Sequence, residues 1–152
     1  MRMRALDLAV VLAFAVMTVA IGLQVIFRYL LNDPLAGSEE VGRLAFVWVT
    51  FLGAAVATRD DAHVRIDYFL RRLGPRSALA CRILGHVGTA VFGLIMVWVG
   101  FLLARFSWDF ESASLQFPMT FVHAAIPVAG ALMTAAAVGN AVVDLAGAKR
   151  RA

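Results

Sequence analysis

With 152 residues, 62% of them hydrophobic, and a mean hydropathy of +0.83, the chain carries more apolar surface than a soluble domain of this size can hide. The composition requires a membrane protein, and the length leaves only short loops and tails in water, too little for a separate catalytic or binding domain. The net charge of +4 is no nucleic-acid footprint, because eleven of the fourteen Lys and Arg residues gather at three places, the pattern of a membrane topology signal: Arg2 and Arg4; Arg59, Arg65, Arg71, Arg72, Arg76 and Arg82; Lys149, Arg150 and Arg151.

The first apolar run, residues 8–27, is longer than the hydrophobic part of a usual secretory signal, so an uncleaved first span is expected over about 6–30, closed by Arg28 and Tyr29. LLNDPLAGSEE then supplies turn chemistry through Asn32, Asp33, Pro34 and Gly37. Ser38 is placed to cap the next helix, with Glu39 and Glu40 in its first turn against the positive end of the helix dipole.

The second span is expected over about 41–58. Fifteen uncharged residues separate Arg43 from Arg59. With the flanking residues and arginine stems they make a helix of about 27 Å, just enough to cross the hydrocarbon core when both arginines reach out to the headgroups. Gly53, Ala54, Ala55 and Ala57 give it a small-residue surface that another helix can approach closely.

Charge returns after Arg59. Ile66, Phe69, Leu70 and Leu73 follow helical spacing, with Arg65, Asp67, Arg71 and Arg72 on other faces, so residues of about 62–74 read as an amphipathic arm in the headgroup layer. Gly74 stops the arm, and Pro75 suits the first turn of the following helix. A third span is expected over about 83–104, bounded by Arg105, Trp108, Asp109 and Glu111. A fourth is expected over about 119–143, with Pro127 as a kink whose freed carbonyl must find another partner. The expectation is therefore an all-α membrane protein, one four-span domain over 1–152, with the arm between spans two and three and both termini cytoplasmic.

Chemistry is sparse. His86 and His123 fall near opposite membrane faces and His63 falls in the arm, so the three cannot grip one metal or haem. A single cysteine, Cys81, excludes an internal disulfide. Ser38, His63 and Asp67 are close in sequence, but the expected topology puts Ser38 across the membrane from the other two. No catalytic site and no cofactor are expected. A standalone small exporter would need an acid at mid-depth to couple protons, and every Asp and Glu falls at a helix end or in a loop. That exporter and a membrane assembly factor are the alternative readings.

Several motifs occur in order: QVIFRY at 24–29, N-x-P-L at 32–35, SEE-x-x-R at 38–43, FVW-x-x-FLGAA at 46–55 and R-x-x-x-H-x-x-ID at 59–67. S-x-x-FPM at 114–119 and AIPVAG at 125–130 follow. As an ordered set they resemble the small, Q-type membrane subunit of tripartite ATP-independent periplasmic (TRAP) transporters. The resemblance implies a large membrane subunit and a periplasmic solute-binding protein as partners, in the inner membrane. It also implies sodium-coupled uptake of an organic acid, with sodium held by the large subunit. Glu39, Glu40, Arg43, Trp48, Gly53, Arg59, His63 and Asp67 become candidates for subunit contact or for fixing the ends of span two.

Overall fold

The computed structural model describes residues 5–33, 37–60, 74–112 and 114–149. The expected arm, with Ile66, Phe69, Leu70 and Leu73, and the candidates His63 and Asp67 lie outside the described residues. Among the described residues five α-helices follow in chain order: α1 (Ala5–Tyr29), α2 (Ser38–Arg59), α3 (Pro75–Phe106), a four-residue α4 (Thr120–His123) and α5 (Ala125–Lys149). A 3-10 turn, Ser107–Asp109, closes α3. Four helical segments are long and apolar enough to cross a membrane: Ala5–Tyr29, Ser38–Arg59, Ser77–Asp109 and Thr120–Lys149.

Span one matches its expected limits. Span three starts earlier, because Pro75 sits at its first turn after Gly74 and the helix runs through the charged residues ahead of the apolar part. The expected cap of α2 also differs. Ser38 is already helical, and the cap is Gly37, whose φ of 86° is left-handed and favours glycine. A side chain there would also run into Leu115, since a Cβ would lie 2.6 Å from its Cδ2.

Span four is broken rather than bent. The helical ladder runs through Ala124 N–H to Thr120 O (2.8 Å) and resumes with Val128 N–H to Ala124 O (3.3 Å). The break falls just before Pro127, which has no N–H to give and whose ring crowds the carbonyl four residues back.

The helices form an open row. α1 packs on α2, α2 on α5 and α5 on α3. Among the described residues the backbone of α1 does not come within packing distance of α3 or α5, nor that of α2 within packing distance of α3. The buried positions carry small or flexible side chains: a core cluster of Ala55, Met96, Ala129 and Met133, with Phe51, Ile126 and Leu132 packed against it. Such residues let helices approach closely where no hydrophobic effect separates helix contact from lipid contact.

The closest approach joins α3 to α5. Gly93, Met96, Gly100 and Ala104 form one buried stripe of α3, and Ala125, Ala129, Gly130, Met133 and Ala137 form the matching stripe of α5. A Cβ on Gly130 would stand 2.6 Å from the Gly93 carbonyl oxygen, and one on Gly100 would stand 2.6 Å from Pro127 Cδ. Backbone therefore lies against backbone at two levels one heptad apart.

Candidate functional site

Polar side chains tie the row together at its two ends. At the end that carries the connections between α1 and α2 and between α3 and α4, residues 110–112 and 114–119 form the arms of a hairpin. Ser112 N–H donates to Phe117 O (2.9 Å), Met119 N–H donates to Phe110 O (2.8 Å), and Glu111 bridges Pro118. Glu40, in the first turn of α2, reaches this hairpin. Its carboxylate accepts the Ser112 hydroxyl, Ser114 N–H (2.9 Å) and Leu115 N–H (3.0 Å). The carboxylate thus takes three donors that a loop folded at a helix end would otherwise leave without partners, while Leu115 lies over Gly37.

Two further bonds hold the same end. Trp48 donates its indole N–H to the carbonyl of Phe121 (3.0 Å), in the short helix ahead of the break. Thr120 donates its hydroxyl to Ala104 O (2.8 Å), tying α4 to α3.

At the opposite end Arg59 closes α2. Its guanidinium bonds Asp7 of α1 at 2.7 Å and the adjacent Asp60 at 2.8 Å, with the Arg59 side chain 19% exposed. Asn140 of α5 donates to the Thr58 carbonyl (2.9 Å), and His86 of α3 meets Asp144 of α5 at 3.3 Å. Each neighbouring pair in the row therefore has its own polar tie near this end: α1 to α2, α2 to α5, and α3 to α5.

The candidates from sequence separate into two groups. Glu40, Trp48 and Arg59 are bound inside the chain, as helix-end ties. Glu39 and Arg43 are exposed, and Gly53 faces open space, with no atom within 4 Å of where a Cβ would stand. Of the small residues in span two, Ala55 is 1% exposed and belongs to the core, so the helix-packing surface is turned away from Gly53.

Sequence reasoning missed Ser112, Asp7 and Asn140 as partners; His86 reads as a helix-bridging residue, but its partner Asp144 was not foreseen. Nothing local marks them, since Glu40 and Ser112 stand 72 positions apart and Arg59 and Asp7 stand 52 apart. Only the helical order brings them together.

Four apolar helices with their ionisable groups gathered at the ends define a small multi-pass membrane subunit. The chain belongs to the family of the tripartite ATP-independent periplasmic transporters, DctQ component, whose model matches residues 17–147. It is thus a small permease subunit of a TRAP transporter, and with four helices able to cross a bilayer it is a protein of the bacterial inner membrane.

Among its relatives is the sialic acid TRAP transporter small permease protein SiaQ of Vibrio cholerae, 32% identical over 70% of this chain and 61% of that protein. Another is the C4-dicarboxylate TRAP transporter small permease protein DctQ of Rhodobacter capsulatus, 33% identical over 65% of this chain and 44% of the relative. The sialic acid TRAP transporter permease protein SiaT of Haemophilus influenzae is 36% identical over 72% of this chain, which corresponds to 18% of its own length. The chain matches less than two thirds of the length of each of these relatives.

Proposed function

We propose that this chain braces the large membrane subunit of its transporter, broadening the part of that partner that stays fixed while another part carries substrate through the bilayer. The transport is sodium-coupled uptake of an organic acid, such as a carboxylate, delivered by a periplasmic solute-binding protein. Sodium and substrate bind the large subunit, and the small chain needs no cofactor. The names of relatives point to different cargoes, sialic acid and a C4-dicarboxylate, which fits selection of the substrate elsewhere than in this subunit.

The observation that carries the reading is the open row. Helices whose backbones pack, among the described residues, only on the next helix in the row leave much of their surface uncovered, and exposed apolar surface on this scale is satisfied by lipid or by another membrane protein. The match to 18% of a far longer permease protein supports a small unit working beside a larger one.

The exposed face of α2 is the contact that fits best. Arg43, Phe46 and Thr50 are exposed on it, and Gly53 continues the stripe with open space above its backbone. Glu39 lies at the head of the same helix. At the other end Arg59 fixes the base of α2 through its bonds to Asp7 and Asp60.

Co-expression with the large subunit tests this. Replacing Gly53 by Leu, or Arg43 by Ala, lowers recovery of the large subunit on the tagged small chain and lowers sodium-driven uptake in proteoliposomes. Unchanged recovery and uptake for both would remove the proposed face. The small chain reconstituted alone gives no uptake; substrate movement without a partner would overturn the bracing role itself.

A further inference from the structure

At the end of α3 an open cleft of about 430 Å³ is lined by Leu102, Arg105, Phe106, Asp109 and Phe110. It lies where the apolar helix gives way to polar chain, the depth at which lipid headgroups meet the hydrocarbon. It carries one cation and one anion. The ion pairs of the described residues lie elsewhere, at Arg59 and His86, so Arg105 and Asp109 stand on the cleft without joining each other. All five lining residues are exposed, as is neighbouring Trp108, which gives the cleft an aromatic rim.

An apolar track leads away from it. Val91, Ile95, Trp98 and Leu102 recur at helical spacing on α3, and each is at least half exposed. The eleven helical steps from Val91 to Leu102 rise about 16 Å, close to one leaflet of a hydrocarbon core of about 30 Å. The track is as long as the acyl chain that would descend from a headgroup seated in the cleft.

We infer that this cleft is a binding site for a phospholipid with an ethanolamine headgroup. The phosphate faces the Arg105 guanidinium, the primary ammonium donates to the Asp109 carboxylate, and an acyl chain lies along Leu102, Trp98, Ile95 and Val91. Only a zwitterionic headgroup with N–H donors satisfies both charges. A choline headgroup has no N–H for the carboxylate, and a glycerol headgroup brings a net negative charge beside Asp109. The site depends on α3 and the adjoining turn alone, so it stands apart from the bracing role.

Native mass spectrometry of the full chain in detergent, titrated separately with phosphatidylethanolamine, phosphatidylcholine and phosphatidylglycerol of the same acyl composition, reads the site. Phosphatidylethanolamine is retained about fivefold better than phosphatidylcholine, the scale of one exposed charge-assisted bond. Asp109→Asn brings the two to parity, and Arg105→Gln weakens retention of all three. Both residues are exposed, so the variants keep the helical circular dichroism of the parent. Equal retention of the three lipids by the parent, or a preference that survives Asp109→Asn, overturns the proposal. So does a photo-crosslinker at position 106, which leaves Arg105 and Asp109 in place, if it captures the co-expressed large subunit instead of lipid, since the cleft is then a protein contact.

Discussion

Glu40 stands where three physical preferences coincide. Its carboxylate lies in the first turn of α2, where the free N–H groups favour negative charge, and it accepts two backbone N–H groups and one hydroxyl from the hairpin opposite. Glu40→Gln keeps the size but gives up the charge and one acceptor oxygen. The amides of Ser114 and Leu115 then exchange with deuterium roughly tenfold faster, while amides in the middle of α3 keep their rates. Unaltered exchange in the hairpin would show that Glu40 does not hold it. Trp48 acts differently, since its bond goes to a carbonyl beside the break in span four. Trp48→Phe keeps an aromatic ring but removes the donor and part of the indole, at a cost of about 1 kcal/mol or more in thermal unfolding of the purified chain. Asp7 and Arg59 act as one unit. Asp7→Asn and Arg59→Gln each lower the unfolding temperature, and the double variant loses clearly less than the sum of the two; full additivity would mean that the pair contributes nothing.

Among the elements, α3 and α5 are the pair whose contact tolerates least. Gly93, Gly100 and Gly130 are required by space rather than by backbone angle, because each meets at least one backbone atom that cannot swing away: the Gly130 oxygen for Gly93, the Pro127 nitrogen for Gly100 and the Gly93 oxygen for Gly130. Gly130→Leu destabilises the chain by about 1–3 kcal/mol or separates the two helices. Gly139→Leu, on the same helix with nothing within 4 Å of its Cβ position, stays within about 0.5 kcal/mol of the parent. Equal losses at the two positions would remove the close-contact account. The elements themselves were legible in the sequence. Long apolar runs bounded by charge place four spans, Pro75 marks the start of α3, and Pro127 marks the interruption of span four. The contacts were not legible. Gly93 and Gly130 look like any other glycines of apolar helices, while Gly53, read from sequence as part of a packing surface, faces open space. Ser38 offers the usual capping side chain, but the cap falls on Gly37, whose left-handed φ of 86° favours glycine and where Leu115, far along the chain, leaves no room for a Cβ.

For the whole molecule the decisive property is helix order, and it fixes what the chain can do alone. In the order α1, α2, α5, α3 the two outer helices each pack, among the described residues, on one other spanning helix, and the described helices form neither a closed bundle nor an enclosed passage. A ring would require α1 to meet α3. Cysteine pairs in a Cys81→Ser background distinguish the two arrangements. Ala90 and Thr134 lie across the α3–α5 seam, where the Thr134 hydroxyl reaches the Ala90 carbonyl at 3.4 Å. A cysteine pair at those positions forms an intramolecular cross-link with a short bifunctional reagent in membranes. Pairs that join α1 to α3 at matched depth, such as Val16 with Ile95, form none. A cross-link between α1 and α3 within one chain would close the ring, bury the faces assigned here to lipid and to the large subunit, and leave the bracing role without a surface on which to act.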